Sequence, residues 1–490
     1  MMQISVKQII CATKGELLCG NENVVVCNIT IDSRETAKEA LFVPIVGEKT
    51  DGHKFVAGAI KGGAVALFMK RDSVYSEEIL TLCKEALVAV IAVEDTVAAL
   101  QQLAGWYRDG FSVPVIGITG SVGKTTTKEM VAAALETEKK VLKTIGNKNS
   151  QIGLALMMFY LEDSHDVAVI EMGMSEAGEM AKLARVAKPE CAVMTNIGVA
   201  HIAQLKTQEN IRKEKLSIVN EFGKDSSLFV NGNDTLLHET ATQITQKKIT
   251  IDCNKETLAV LPETVAVTYG IGEGFDYCAT DIVTDANGTS FTLYYPENGV
   301  KKSLHMQLRV HGDHNVMNAL AAVAVAKKYG IEPARAAEGL ALYEPIAMRG
   351  QMKECRGVTW IDDTYNASPD SMKSGIQVLL SLNGARRIAV LADVLELGEQ
   401  AEKLHREVGK YAAVTEKDGK KTDMLLTVGG NAAFLAEEAK KEGLHTVYSF
   451  ESNEKVIAFL KDELKNGDVV LVKGSRGMKT DEIVKAFTES

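Results

Sequence analysis

The chain has 490 residues, 46% of them hydrophobic and 24% charged, with a formal net charge of −10. At roughly 150 residues per domain this length and mix describe about three soluble globular domains. The acidic balance argues against nucleic acid or an anionic membrane surface as the main partner, and no stretch approaches the ~20 apolar residues of a membrane span.

The N-terminal "MMQISVKQIICATKGE" lacks the apolar run of a signal peptide, so a cytoplasmic protein is expected. Eight cysteines (Cys11, Cys19, Cys27, Cys83, Cys191, Cys253, Cys278 and Cys355) are scattered with no C-x-x-C pair, which predicts reduced thiols rather than a zinc or redox site. Residues 1–106 read as a small mixed α/β unit. "VVVCNITID", "GAVALFMK" and "ALVAVIAV" are strand candidates, and "TVAALQQLAGWYRDG" closes the unit with an amphipathic helix.

A second unit, residues 107–340, begins with the apolar run "VPVIGITG" and passes into a helix, "KTTTKEMVAAALETEKK". Strand-like "DVAVIEMG", "CAVMTNIG" and "SLFVNGND" alternate with helical "GEMAKLARVAK" and "NIRKEKLSIVNEF". That alternation predicts a mostly parallel sheet with helices on both faces. Residues from about 248 to 310 turn β-rich, with a hairpin expected to turn on Asn287-Gly288, before the helix "NVMNALAAVAVAKKYG". The third unit, residues 341–490, alternates again through "RRIAVLAD", "DMLLTVGG", "HTVYSF" and "DVVLVKGS", predicting an open Rossmann-like sheet.

The most informative stretch is "GITGSVGKTTTKEM". Gly120, Ser121, Val122 and Gly123 let successive backbone N–H groups face one point, Lys124 adds a charge for the β/γ-phosphates, and Thr125 or Thr126 can place a hydroxyl on Mg²⁺. The usual G-x-x-x-x-G-K-[ST] pattern needs glycine where Ile118 stands; here glycines fall at 117 and 120, giving T-G-x-x-G-K-T. Glu171, Asn196 and His201 follow successive strands of the same sheet, so they converge on the edge beside this loop. Lys213 and Lys215 lie on one helix, where a solvated charged face is the plain alternative to a functional role. Asn315 and Asn318, spaced i and i+3, share a helix face and suit the edge of a purine.

"TGSVGKTTT", "EMG", "TNIGVAH", "GDHNVMNA", "MRG" and "DDTYNASPDSM" occur in the order and approximate spacing of the Mur ligase superfamily, the ATP-dependent amide-forming ligases of bacterial cell-wall synthesis, and the chain resembles it over nearly its whole length. "GNKNSQIG", "VLADVLELG" with the following Leu404-His405, and "VKGSRGMK" are most similar to the branch that joins D-Ala-D-Ala to UDP-N-acetylmuramoyl-tripeptide. The branch that adds the third amino acid is the nearest alternative, but its D-N-P-x-R signature is replaced by "NASPDSM". A P-loop switch or motor is the alternative of a different class; "GNKNS" is only superficially like a base-reading N-K-x-D, and the motif order is wrong for a GTPase.

The resemblance implies ATP and Mg²⁺ as cofactors, with Thr125, Glu171, His201 and a carbamylated Lys215 as metal ligands. It assigns Lys124, Lys215, His201 and Arg349 to catalysis, and Asn315, Asn318, Arg349 and Asp363 to the nucleotide. It places the UDP end of the substrate on Ser33, Arg34 and the 47–53 segment with Gly47, Asp51 and His53, and Asn149 near the acceptor peptide. A monomer acting on small molecules is expected.

Overall fold

The computed structural model describes residues 2–246, 250–252, 257–259, 264–285 and 287–489; of 250–252 and 257–259 it describes the backbone alone. Cys253 and Ala286 lie outside the described residues. The seven described cysteines are free.

Three large sheets organise the described residues. Near the N-terminus a five-stranded sheet runs in the order Glu16–Cys19, Ala89–Val93, Ala64–Lys70, Ala40–Phe42, Asn28–Thr30, parallel except for its first strand. Its inner strands are alanine- and β-branched-rich runs buried on both faces, as a covered parallel sheet demands. The helix Thr96–Arg108 starts on Asp95, whose carboxylate accepts from the Ala98 N–H at 2.7 Å. Its far end ties the unit to the middle of the chain. Arg108, only 6% exposed, donates through Nε to the Ala187 carbonyl at 3.1 Å and through Nη1 to the Phe111 carbonyl at 2.7 Å.

The central sheet has nine strands in the order Val300–Leu308, Gly288–Glu297, Tyr277–Asp285, Val265–Ile271, Ser227–Asn231, Cys191–Met194, Val115–Thr119, Val167–Glu171, Val141–Lys143. The run from Tyr277–Asp285 to Val141–Lys143 is parallel; the last two strands at the other edge form antiparallel hairpins. The expected hairpin forms, but Gly288 pairs with Asp285 and so belongs to the second strand instead of the turn. The helix after the glycine turn spans Lys124–Leu135 and stops short of the expected Lys140.

The third sheet runs Gln351–Cys355, Val358–Asp362, Val469–Lys473, Arg387–Ala392, Met424–Val428, Val447–Phe450, parallel except for the first pair. The last long strand in sequence, Val469–Lys473, inserts between two earlier ones. The carboxyl ends of its neighbours therefore part around it and leave a crevice.

One tertiary cap fixes the helix that carries Lys215. The helix Glu179–Ala187 begins at Gly178, which has no side chain to cap it. Glu214, on the helix Gln208–Leu216, supplies the missing acceptor: its two carboxylate oxygens take the Gly178 and Met180 N–H groups at 2.8 Å each. Glu214→Ala is expected to destabilise the protein by about 1–2 kcal/mol, the usual loss for a capping group. A thermal midpoint indistinguishable from the parent would contradict the capping role.

Candidate functional site

The carboxyl end of Val115–Thr119 delivers the chain into the glycine turn. Gly120 sits at φ +148°, and a Cβ there would stand 1.8 Å from Thr195 Oγ1. Only glycine fits, for reasons of both conformation and space. The turn is braced by the next strand end. The Ser121 and Val122 N–H groups both donate to Asn196 Oδ1, at 3.1 and 2.9 Å. Thr195 Oγ1 donates to the Val122 carbonyl at 2.5 Å, and Ser121 Oγ accepts from the Gly198 N–H at 2.9 Å.

Gly117 explains the unusual glycine spacing. A Cβ on Gly117 would meet Ile218 Cδ1 at 2.8 Å and Met172 Sδ at 2.9 Å. Its absence lets the end of the Lys215 helix close against the strand beneath the loop. The two lysines of that helix then separate: Lys213 is exposed, whereas Lys215 is 1% exposed and donates to the Gly120 carbonyl at 3.1 Å. Lys124 Nζ donates to the same carbonyl at 2.8 Å. Burial, with the Lys124 charge beside it, pushes Lys215 well below the ordinary lysine range. Lys124 is lowered too, by burial and then by Arg349, against the opposing pull of Glu171.

Glu171, at the end of Val167–Glu171, is 2% exposed. Its N–H donates to Thr144 Oγ1 at 2.8 Å, and its Oε1 accepts from Asn149 Nδ2 at 2.7 Å. Asn149 therefore orients the carboxylate. His201 occupies a left-handed backbone position, φ +62°, at the start of the turn Ile202–Leu205. Its Nδ1 is buried without a hydrogen-bond partner among the described residues, and the nearest carboxylate oxygen, Glu396 Oε2, is 3.5 Å away. Burial and the Lys215 and Lys124 charges push its pKa down to about 4.

The Lys124–Leu135 helix meets Asp313–Lys328 through Thr127 Oγ1, which donates to Asn318 Oδ1 at 2.9 Å; Asn318 Nδ2 donates to Asn315 Oδ1 at 3.3 Å. From the third sheet come Arg349 and Asp363. The Arg349 guanidinium lies 4.0 Å from the Tyr365 ring centroid, and Asp363 Oδ2 accepts from Lys473 Nζ at 2.6 Å.

Together these residues line a cavity of about 520 Å³, the size of a small-molecule site. Ser121, Val122, Gly123, Lys124, Thr125, Thr126, Asn149, Glu171, His201, Asn315, Asn318, Arg349 and Asp363 all face it. Gly120 and Lys215 do not line it; Lys215 is linked to the lining residue Lys124 through the shared Gly120 carbonyl. Ser33, Arg34, Gly47, Asp51 and His53 are not among its lining residues. Of these, His53 is buried inside its own loop. Its Nδ1 pairs with Asp51 Oδ1 at 2.6 Å and its Nε2 accepts from the Lys70 N–H at 3.1 Å, so the ring orders the loop and leaves no edge for a ligand. Arg34 is 87% exposed in its side chain and pairs with Asp32.

Sequence reasoning missed Lys473, Tyr365, Arg476 and Glu214. Their only signals were the "VKGSR" strand end, the "DDTYN" loop and a charged helix face, none of which separates a buried partner from a solvated one.

Whether this donor set suits a metal can be judged from the residues. Among the described residues no three of His, Cys, Asp and Glu gather around one point. Thr125, Glu171 and His201 nonetheless line one cavity, so a hydroxyl, a carboxylate and an imidazole are the donors available to a metal there.

Residues 25–108 match the Mur ligase family, catalytic domain; residues 118–326 the Mur ligase middle domain; and residues 348–476 the Mur ligase, glutamate ligase domain. The UDP-N-acetylmuramoyl-tripeptide–D-alanyl-D-alanine ligase of Bacillus subtilis (strain 168) is 38% identical over 494 residues, covering 100% of this chain and 99% of its own. The chain is also similar to MurF from Acinetobacter baumannii, with TM-score 0.86, 27% identity and 100% of both chains covered. MurF ligase from Thermotoga maritima in complex with ADP matches with TM-score 0.77 at 26% identity, over 94% of this chain and 97% of that one.

Gly120→Ala is expected to abolish detectable nucleotide binding by calorimetry while leaving a folded protein; binding within about threefold of the parent would show that the loop can absorb a Cβ. His201 held at about 4 stays neutral well below the ordinary histidine range. The folded chain then binds fewer protons here than the unfolded one. The site leaves stability untouched above about pH 6.5 and costs stability as pH falls from there toward 4. Histidine NMR is expected to show, for the imidazole whose signal is lost in His201→Asn, no titration between about pH 5 and 8.

Proposed function

The chain belongs to the Mur ligase family, and from that premise we propose that it joins D-Ala-D-Ala to UDP-N-acetylmuramoyl-tripeptide, using ATP and forming an amide bond, in peptidoglycan precursor synthesis. The observation that carries this reading is the cavity between the central and third sheets, where a phosphate loop and Glu171 on one side face Arg349 and Asp363 on the other.

A carboxylate and an amine do not condense near neutral pH, because hydroxide leaves poorly. Transfer of the γ-phosphoryl group to the tripeptide carboxylate creates an acyl phosphate. The dipeptide amine then attacks its carbonyl carbon, the C–O bond to phosphate breaks, and the amine gives up a proton. Lys124 and the loop N–H groups not taken by Asn196 hold the phosphates, and Arg349 offers its charge to the transferring group from the opposite wall. Asn315 and Asn318 face the adenine end, and Asp363 the ribose. Residues 107–340 serve as the ATP-binding unit, 1–106 as the unit for the UDP end through Ser33, Arg34 and the Gly47–His53 loop, and 341–490 as the unit that closes over the nucleotide. Asn149, beside Glu171, marks where the acceptor carboxylate enters. A cytoplasmic monomer is the working form; no helix among the described residues is long and apolar enough to cross a membrane.

Lys215 is carbamylated in this reading. A buried amine beside a second cation is disposed to stay neutral, and a neutral amine adds to CO₂, releasing a proton and leaving a carbamate. The product adds an anionic ligand to the donor set. Mg²⁺ held by Thr125, Glu171, His201 and this carbamate would neutralise charge on the phosphoryl group.

Phosphate release from ATP by the purified enzyme is expected only with both UDP-N-acetylmuramoyl-tripeptide and D-Ala-D-Ala present. Equal release with neither would identify a hydrolytic switch or motor instead. Lys215→Ala is expected to lose roughly a hundredfold or more in rate and to recover with added short carboxylic acids. Full activity, or a loss those acids leave untouched, contradicts the carbamate.

A further inference from the structure

The crevice of the third sheet contains a buried cation for which the proposed chemistry has no use. Lys473 is the last residue of Val469–Lys473, the strand inserted between Val358–Asp362 and Arg387–Ala392. Its side chain is 3% exposed. Such a cation is retained only where partners satisfy it. Each partner lies in one loop. Lys473 Nζ donates to Asp363 Oδ2 at 2.6 Å, to the Asn366 carbonyl at 3.0 Å and to the Asp363 carbonyl at 3.5 Å.

The turn that follows grips the same loop from outside. The Arg476 N–H donates to Asn366 Oδ1 at 3.3 Å, and the Arg476 guanidinium lies 5.8 Å from the Tyr365 ring centroid. Arg349 lies against that ring at 4.0 Å. The Tyr365 N–H also donates to the Met348 carbonyl at 3.0 Å, tying the loop to the residue before Arg349. Asp363 and Arg349, the two groups this half of the molecule offers to the nucleotide, are thus both set by one braced loop.

We propose that Lys473 is a positioning residue for the nucleotide: by holding Asp363 and Asn366 it fixes the loop that presents Asp363 and carries Tyr365 beneath Arg349. The inference rests on the reading that Asp363 meets the nucleotide. It predicts an effect on nucleotide affinity that passes through Asp363 and leaves the peptide substrates alone. A lysine serving only to fill the crevice predicts lost stability and unchanged affinity.

The test is a double-mutant cycle on the full chain, read as the Kd of a fluorescent ADP analogue and needing no ligation activity. Lys473→Met is expected to weaken binding roughly tenfold to a hundredfold, the range for a lost charge-assisted hydrogen bond. Asp363→Asn is expected to do the same, and the double variant to be no worse than either single. In steady state KM for ATP rises in Lys473→Met while KM for D-Ala-D-Ala holds. Lys473→Gln, which keeps hydrogen-bond donors without the charge, is the second variant should the methionine protein fold poorly, with a smaller loss of the same kind. Unchanged affinity in Lys473→Met or Lys473→Gln with a lowered thermal midpoint overturns the proposal, and so do additive effects in the cycle. An Asp363→Asn protein that binds normally removes its premise. Absence of ligation by the parent bears on the proposed function alone, because the binding cycle remains readable.

Discussion

Two lysine side chains converge on one carbonyl oxygen, that of Gly120, and much of the central site follows from this crowding. One belongs to the phosphate loop itself, Lys124 at 2.8 Å; the other, Lys215 at 3.1 Å, arrives from a helix 91 positions later in the chain. Burial pushes Lys215 toward its neutral form, because two charged amines on one neutral acceptor are unfavourable unless negative charge is supplied. Phosphate can supply it to Lys124 from the cavity side. Lys215, beneath the loop, has no carboxylate at hydrogen-bonding distance among the described residues, so no structural ion pair there accounts for its position.

That convergence is bought by two local devices. Gly117 removes the side chain that would hold the Lys215 helix away from the strand, and Glu214 anchors the same helix by capping Glu179–Ala187. Thr195 and Asn196 hold the loop from the neighbouring strand end. The third sheet contributes its own half of the cavity through a braced loop, so the nucleotide site is assembled from two independently stiffened walls. Preorganised donors of this kind stabilise developing phosphoryl charge without reorganising at the moment of reaction.

The strands around the site were legible because their signal is local: an apolar run, a glycine turn, a helix. Glu171 and His201 were legible because parallel strands bring their carboxyl ends to one edge. The glycine at 117 marked the superfamily, yet its physical reason, room for Ile218 and Met172, depends on a contact about a hundred residues away. His53 was assigned to the UDP end by resemblance alone; the fold turns its ring inward onto Asp51 and Lys70. Spacing alone did not tell Lys213 from Lys215; the resemblance singled out Lys215, and burial separates the two. Lys473 was illegible for a related reason. A lysine at the end of an apolar strand is ordinarily solvated, and only the late insertion of its strand between two others encloses it. The hairpin expected near Asn287-Gly288 forms part of the antiparallel edge of the second sheet, whereas the antiparallel edge of the third was hidden, since alternating βα units say nothing of what is added at a sheet's border.

The central claim, that ATP is spent on activating a carboxylate, is most directly tested by following oxygen. Tripeptide substrate labelled with ¹⁸O in the carboxylate that becomes the amide is turned over with ATP and D-Ala-D-Ala, and the released phosphate is weighed by mass spectrometry. An acyl-phosphate path places one ¹⁸O atom in each phosphate, because the bond that breaks lies between carbonyl carbon and the labelled oxygen. Phosphate free of label, formed at the rate of the product, would contradict it.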